Sequence, residues 1–282
     1  MNVAMRISVA ALVIVLAGSG AHGQTPGLLD QKPAGAKTRE VLAKPIAADP
    51  DDRHDFDFSE RGFMGTIPAI QDANGRVLRD LTAYDWATKT KPDTVNPSLL
   101  RATALSARSG LFKVTDGIYQ VRGVDAANMT IVETTSGYVI IDPLMFRETA
   151  QAAMDLLYTK VGRRPVRAVI YTHSHTDHYG GVKGVVDEAD VKAGKIAIIA
   201  PDGFMRELVS EQVIAGPAMY RRAQYHAGQF LEEGPKGLVG WGVALGHLEG
   251  TVTLLPPTDT VTHTGETRRI DGLDIEFQMV PE

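Results

Sequence analysis

The stretch from Val166 to Gly181 constrains this chain more than any other. A mostly apolar run, Val166 to Tyr171, passes directly into Thr172-His173-Ser174-His175-Thr176-Asp177-His178-Tyr179-Gly180-Gly181. Such a run reads as a strand covered on both faces, so the polar residues after it fall at the end of a buried β-segment. Three of the eight histidines lie within six residues there, with an aspartate between them. His173 and His175, two apart in extended backbone, point to one side and can share an ion. Asp177 and His178 follow once the chain has begun to turn, with Gly180 and Gly181 permitting a tight bend. That places them toward a second ion beside the first.

Imidazole nitrogen and carboxylate oxygen suit zinc, iron or manganese alike. The chain has no cysteine, which excludes thiol nucleophiles, disulfide frameworks, iron–sulfur clusters and cysteine-based zinc sites. Metal chemistry must therefore use His, Asp and Glu. Beside the two-metal centre stands a single-ion site built from three of the four side chains, which requires one ion per chain. A His-rich surface loop is the third reading, and it gives no reason for the buried strand before the run or the glycine pair after it.

Net charge is −5 with a pI near 5.9, so no general positive field exists to hold nucleic acid by its phosphates. At the amino terminus, Arg6 precedes eleven residues, Ile7 to Ala17, that are almost wholly apolar, followed by Ala21-His22-Gly23. This is the pattern of a secretory signal cut after residue 23, and it implies a periplasmic or secreted protein. The apolar run is well short of the roughly 20 residues that span a bilayer, and no other stretch approaches that length, so no membrane span is expected.

Residues 24–109 are interrupted by Pro26, Pro33, Pro45, Pro50, Pro68, Pro92 and Pro97. They also hold Phe56, Phe58, Phe63, Leu78, Leu81, Tyr84 and Trp86, too many large apolar groups for a solvated linker. The expectation is an irregular, extended arm packed on a body. From residue 110 to 282 the texture is that of a folded domain. Strands are expected at Ile118 to Arg122, Met129 to Glu133 and Tyr138 to Ile141, the last two joined by a turn at Ser136-Gly137. Arg147 to Val161 carries Ala150, Ala153, Met154, Leu157 and Val161 at helical spacing, with Gly162 as its stop. Further strands are expected at Val166 to Tyr171, Ile196 to Ala200, Thr251 to Leu255 and Leu273 to Val280, and helices near Phe204 to Val213 and Ala218 to Phe230. A sheet covered by helices, of α/β or α+β type, follows.

The run His173-Ser174-His175-Thr176-Asp177-His178 resembles the HxHxDH signature of the metallo-β-lactamase superfamily, which likewise stands at a strand end. Segments 92–99, 110–123, 128–130 and 140–144, together with Arg61-Gly62-Phe63 and Ala218 to Ala223, resemble the linear and secondary alkyl sulfatases of that superfamily. The resemblance implies an αββα sandwich, here incomplete. It also implies hydrolysis of amphiphilic alkyl sulfate esters, such as dodecyl sulfate, to alcohol and sulfate by a hydroxide held between two Zn2+ ions.

By the same resemblance His173 and His175 bind one zinc, and Asp177 and His178 the other, with Asp177 also orienting the hydroxide. Two Glu and one His would complete the ligands from beyond Pro281, so the chain is expected to be an N-terminal fragment with a half-built metal site, inactive without the rest. Glu282 is a weak stand-in. A homodimer is expected only of the longer family protein, through a domain further along. Asp142, after an apolar strand, either fixes a ligating imidazole by accepting its proton or merely forms the strand-end turn before Pro143. Asn128 reads as a turn cap more than a substrate contact, and Arg221 and Arg222 as sulfate donors or solvated helix charges. Two alternatives stay open: another hydrolase of the superfamily, acting on a β-lactam, lactone or thioester, and a non-catalytic metal-binding module. A Gly-x-Ser-x-Gly elbow, the mark of a serine hydrolase, is absent.

Overall fold

Why the central strands are apolar on consecutive residues is plain from which core each residue enters. Ile140, Val169 and Ile198 face one hydrophobic cluster, whereas their neighbours Val139, Ala168, Ile170 and Ile199 face another. Alternate side chains of a strand point to opposite faces, so a strand covered on both sides must be apolar throughout.

A computed structural model describes residues 33–44, 52–67, 69–242 and 244–280. The strands are β1 (Phe63–Gly65), β2 (Ala69–Gln71), β3 (Val77–Asp80), β4 (Gly110–Thr115), β5 (Ile118–Arg122), β6 (Met129–Glu133), β7 (Tyr138–Ile141), β8 (Val166–Ile170), β9 (Ala197–Pro201), β10 (Asp259–Val261), β11 (Thr267–Ile270) and β12 (Leu273–Glu276). The α-helices are α1 (Ala36–Leu42), α2 (His54–Glu60), α3 (Trp86–Lys89), α4 (Pro97–Ser106), α5 (Arg147–Lys160), α6 (Thr176–Tyr179), α7 (Glu188–Lys192), α8 (Phe204–Leu208) and α9 (Gly216–His226). A 3-10 turn covers Val182–Gly184 and a π-helical turn Val209–Ile214.

Eight strands form one mixed sheet in the order β1-β4-β5-β6-β7-β8-β9-β10. The pairs from β1 to β7 are antiparallel, and those from β7 through β8 and β9 to β10 are parallel. Helix α5 lies on one face, burying Ala150, Ala153, Met154 and Leu157 against Met129, Ile131 and Ile140. Full burial of a side chain such as Leu157 contributes roughly 2 kcal/mol. The opposite face is covered by the β11–β12 hairpin through Ile270, Leu273, Ile275 and Phe277. Of the expected sandwich, the described residues thus supply a helical layer, one broad sheet and a two-stranded second sheet.

The arm is more regular than its prolines suggest. Pro97 opens α4 instead of interrupting the chain, and Asn96 caps that helix by accepting the Ser98 N–H; a proline in the first helical turn forfeits no hydrogen bond there. Strand β1 joins the edge of the main sheet, and Ile70, Tyr84 and Val95 are buried. Arg79 donates to the carbonyls of Leu245 and His247, tying the arm to a loop more than 160 residues away.

Three further expectations are corrected. Thr251 to Leu255 is not a strand, because its hydrogen bonds run to Gly180, Arg147 and Glu148 instead of to a sheet neighbour. The helix expected through Val213 changes to π winding at Val209. The helix expected from Ala218 to Phe230 spans Gly216–His226. The export segment, residues 1–23, lies outside the described residues, as do Pro281 and Glu282. Among the described residues no helix is long and apolar enough to cross a membrane.

Candidate metal centre

Parallel strands β7 and β8 end side by side, and the residues beyond their carboxyl ends form the site, as is general for open α/β sheets. After β8 the chain bends once and enters α6, a single turn for which His175 is the N-cap. The backbone N–H of His178 donates to the His175 carbonyl at 3.0 Å, so His175, Asp177 and His178 are held on one tight coil.

Gly180 and Gly181 serve a purpose other than the expected bend. Their φ angles are −62° and −85°, ordinary for any residue. What they supply is space, since a Cβ at Gly181 would lie 2.2 Å from the Pro143 carbonyl oxygen, and one at Gly180 2.2 Å from that of Met145. The loop between β7 and α5 therefore rests directly on the backbone following the histidine run.

That loop delivers Asp142, whose φ is +55°, a left-handed conformation that aspartate and asparagine tolerate better than most residues. Its Oδ1 accepts the Thr172 N–H at 2.8 Å, and its Oδ2 accepts both the Thr172 hydroxyl and His178 Nδ1, each at 2.8 Å. Of the two readings open for Asp142, the bond to an imidazole is present, and the left-handed strand-end turn is what aims it. Thr172 Oγ1 also lies 2.9 Å from His173 Nδ1. The hydroxyl has one proton, and a carboxylate can only accept, so that proton goes to Asp142. Thr172 must then accept from His173 Nδ1–H, which in the neutral ring puts the lone pair on Nε2. Asp142 governs two imidazoles, one directly and one through Thr172.

The nitrogens opposite these bonds face the centre. His173 Nε2 and His175 Nδ1 are 3.0 Å apart, and His178 Nε2 lies 3.3 Å from Asp177 Oδ2. The His173 and His178 rings are 4.0 Å apart between centroids. Burial alone would raise the Asp177 carboxyl, but the hydrogen bond and charge of His178 outweigh it and hold Asp177 below the usual carboxylate range. Burial likewise works against a charged His178, yet its bonds to Asp142 and Asp177 prevail and push it up to about 9. The pocket thus favours positive charge between His178 Nε2 and Asp177.

Among the described residues no three His, Asp or Glu side chains already surround a common point; the four donors fall into two pairs. Two nitrogens each bound to a tetrahedral zinc at 2.0–2.1 Å would lie about 3.3 Å apart. Both pairs are within a few tenths of that spacing, so the donor set fits a divalent cation at each. A catalytic zinc normally takes three protein ligands and a water, and each pair leaves positions for more.

Asn128, Arg221 and Arg222 are exposed, the two arginines on α9. One neighbour of the site escaped sequence reasoning altogether: Glu211, in the π-helical turn, whose Oε2 lies 3.2 Å from His175 Nε2. Its signal was faint. Glu211 follows Phe204 by seven residues and Leu208 by three, a spacing that puts a charge where a regular helix would continue its apolar stripe.

The family model described as the metallo-beta-lactamase superfamily matches residues 122–271. The chain belongs to that superfamily. Within it the chain is similar to alkylsulfatases. It is 50% identical over 266 residues to a linear primary-alkylsulfatase of Pseudomonas sp., covering 92% of this chain and 39% of that protein. It is 44% identical over 259 residues to an (R)-specific secondary-alkylsulfatase of Pseudomonas sp.. Among solved structures, the stereoselective inverting sec-alkylsulfatase Pisa1 from Pseudomonas sp. superimposes with a TM-score of 0.84 at 43% identity, over 89% of this chain and 40% of that one. The chain spans about two fifths of the length of the relatives it matches.

Proposed function

We propose that this chain carries the zinc-binding strand end of an alkylsulfatase that cleaves alkyl sulfate esters to alcohol and sulfate. The observation that carries this reading is the pair of two-donor sites beyond β8, His173 with His175 and Asp177 with His178, braced from behind by Asp142. Relatives that are 44–50% identical and named alkylsulfatases support the substrate class.

Two bound divalent cations would supply the Lewis acidity that activates a water near neutral pH and neutralises charge building on the sulfate oxygens. His173 Nε2 and His175 Nδ1 would hold one, and His178 Nε2 and Asp177 the other, with the positions they leave filled by donors outside the described residues and by water. The Asp177 carboxylate, being ionised, can also accept a hydrogen bond from the attacking water and orient it. Asp142 keeps the His178 Nδ1 proton in place and, through Thr172, that of His173, so that the opposite nitrogens stay available. Zinc is the metal proposed, while iron and manganese accept the same ligands. Residues 1–23 are proposed to be an export signal, which Edman sequencing of the mature protein would show as a new N-terminus at Gln24.

The deciding measurement is inorganic sulfate released from dodecyl sulfate by the full-length protein, run beside a chromogenic β-lactam and with metal content determined on the same sample. Sulfate release that depends on zinc is the expected result. Turnover of the β-lactam without sulfate release, or a wild-type protein devoid of transition metal, would overturn the reading.

A further inference from the structure

We infer that Glu211 is a positioning residue for the metal centre: it binds the outer nitrogen of His175 and thereby fixes His175 as an Nδ1 donor. This rests on the metal-binding reading above. The geometry is specific. His175 Nε2 meets Glu211 Oε2 at 3.2 Å, while His175 Nδ1, across the ring, faces His173 Nε2 at 3.0 Å. An ionised carboxylate accepts only, so His175 must carry its proton on Nε2 to make that bond. In the neutral ring its Nδ1 is then a lone pair. Thr172 has already fixed His173 with its lone pair on Nε2. With both rings neutral, the two lone pairs face one another across 3.0 Å, a spacing suited to a cation held between them. Glu211 and Thr172 together convert two flexible imidazoles into one preset pair of donors.

The backbone around Glu211 is consistent with that task. Helix α8 buries Phe204 and Leu208. At Val209 the winding loosens, with the Ala215 N–H reaching back five residues to the Ser210 carbonyl. The π-helical turn leaves Val213 and Ile214 at 64% and 77% exposure. A regular amphipathic helix would turn its apolar residues away from solvent, and π turns occur frequently at functional sites. Here the departure sets Glu211 against the metal-binding histidine. Among metal-bound histidines the outer nitrogen regularly donates to a carboxylate, and loss of that partner costs 10–100-fold in metal affinity. Asp142 already fills that role for His178, so each pair has a carboxylate behind it.

The test uses the full chain and Co2+ as the probe, titrated against a chelator while its d–d absorption is followed. The His175 tautomer is read in parallel by long-range 1H–15N correlation on metal-free protein. Glu211→Ala is expected to weaken binding of one of two ions 10–100-fold and to convert His175 from Nε2–H to a tautomer mixture. Glu211→Gln retains an acceptor, so it should keep the tautomer and lie within roughly threefold of wild type, since the hydrogen bond and not the charge sets the ring. Glu207→Ala, an exposed change on α8, is the control and should match wild type.

Co2+ affinity and tautomer unchanged in Glu211→Ala would overturn this inference alone, and a tautomer mixture in Glu211→Gln would do the same if the alanine variant proves unfolded. A wild-type protein that takes up no metal would overturn the metal reading along with it.

Discussion

A methyl group added at Gly181 should damage both stability and metal binding, and the structure says by how much. The new Cβ would sit 2.2 Å from the Pro143 carbonyl oxygen, 2.7 Å from that of Phe146 and 2.8 Å from Ala150 Cβ, where real Cβ contacts stay beyond 3.0 Å. Two of these three obstacles are backbone, so rotating a side chain cannot relieve them, and the loop must move by about 0.8 Å. The loop resists, because the buried Asp125 carboxylate ties down the Met145 and Phe146 N–H groups and the Thr149 hydroxyl. Overpacking of this kind costs about 1–3 kcal/mol. With rigid backbone on both sides the upper end applies, roughly a hundredfold in the folding equilibrium.

The same movement carries Asp142 away from His178. A 2.8 Å hydrogen bond lengthened by that amount passes beyond useful range, so divalent-metal affinity should drop 10–100-fold as well. Urea titration should show a lower midpoint at unchanged slope, and chelator competition the weaker binding. Gly75→Ala separates space from conformation. Gly75 has φ +79° and nothing within 4 Å of the added atom, so the change should cost about 1 kcal/mol of backbone strain and leave metal affinity alone. A Gly181→Ala protein as stable as wild type, with metal affinity intact, would refute the close-approach argument.

Asp142→Asn keeps a residue suited to the left-handed backbone but turns one of two acceptor oxygens into an NH2 donor, so the Thr172 N–H, the Thr172 hydroxyl and His178 Nδ1–H can no longer all be accepted, and Zn2+ affinity should fall 10–100-fold in competition assays. Leu157→Ala empties a site on α5 that is fully buried and should cost about 2–5 kcal/mol, read as a urea midpoint shift. The Glu266 carboxyl is held at about 2 by hydrogen bonds from the Thr262 hydroxyl and backbone, the His263 N–H and Arg268. A depressed folded pKa stabilises above the unfolded value of 4.5 and ceases to do so as pH falls through about 2. The difference in amide-exchange protection of β11–β12 between wild type and Glu266→Gln should therefore be full above pH 4.5 and vanish near pH 2.

The chain itself announced its central strands and the histidine run that follows one of them. Strands β5, β6 and β7 fall where local pattern puts them, and α5 ends one residue short of the expected Val161, because each buries a face whose period is written in consecutive residues. The histidine run is legible for the same reason, since all four donors lie within one strand end and one helical turn. Local pattern failed where a residue's role depends on something distant in sequence. Pro97 looks like an interruption until Asn96 is seen capping behind it, and Thr251 to Leu255 looks like a strand until its hydrogen bonds are found on Gly180 and Glu148.

What sequence alone determined is therefore which residues own the proposed donor atoms and which apolar layers bury the strand bearing them. Only the tertiary structure decided which nitrogen of each imidazole faces inward, because that depends on partners brought from other elements: Asp142 from the end of β7 and Glu211 from a π turn after β9. It also decided why the glycine pair is there. A glycine chosen for its backbone angle and one chosen for the room it leaves are spelled alike, and only the neighbour pressed against it tells them apart.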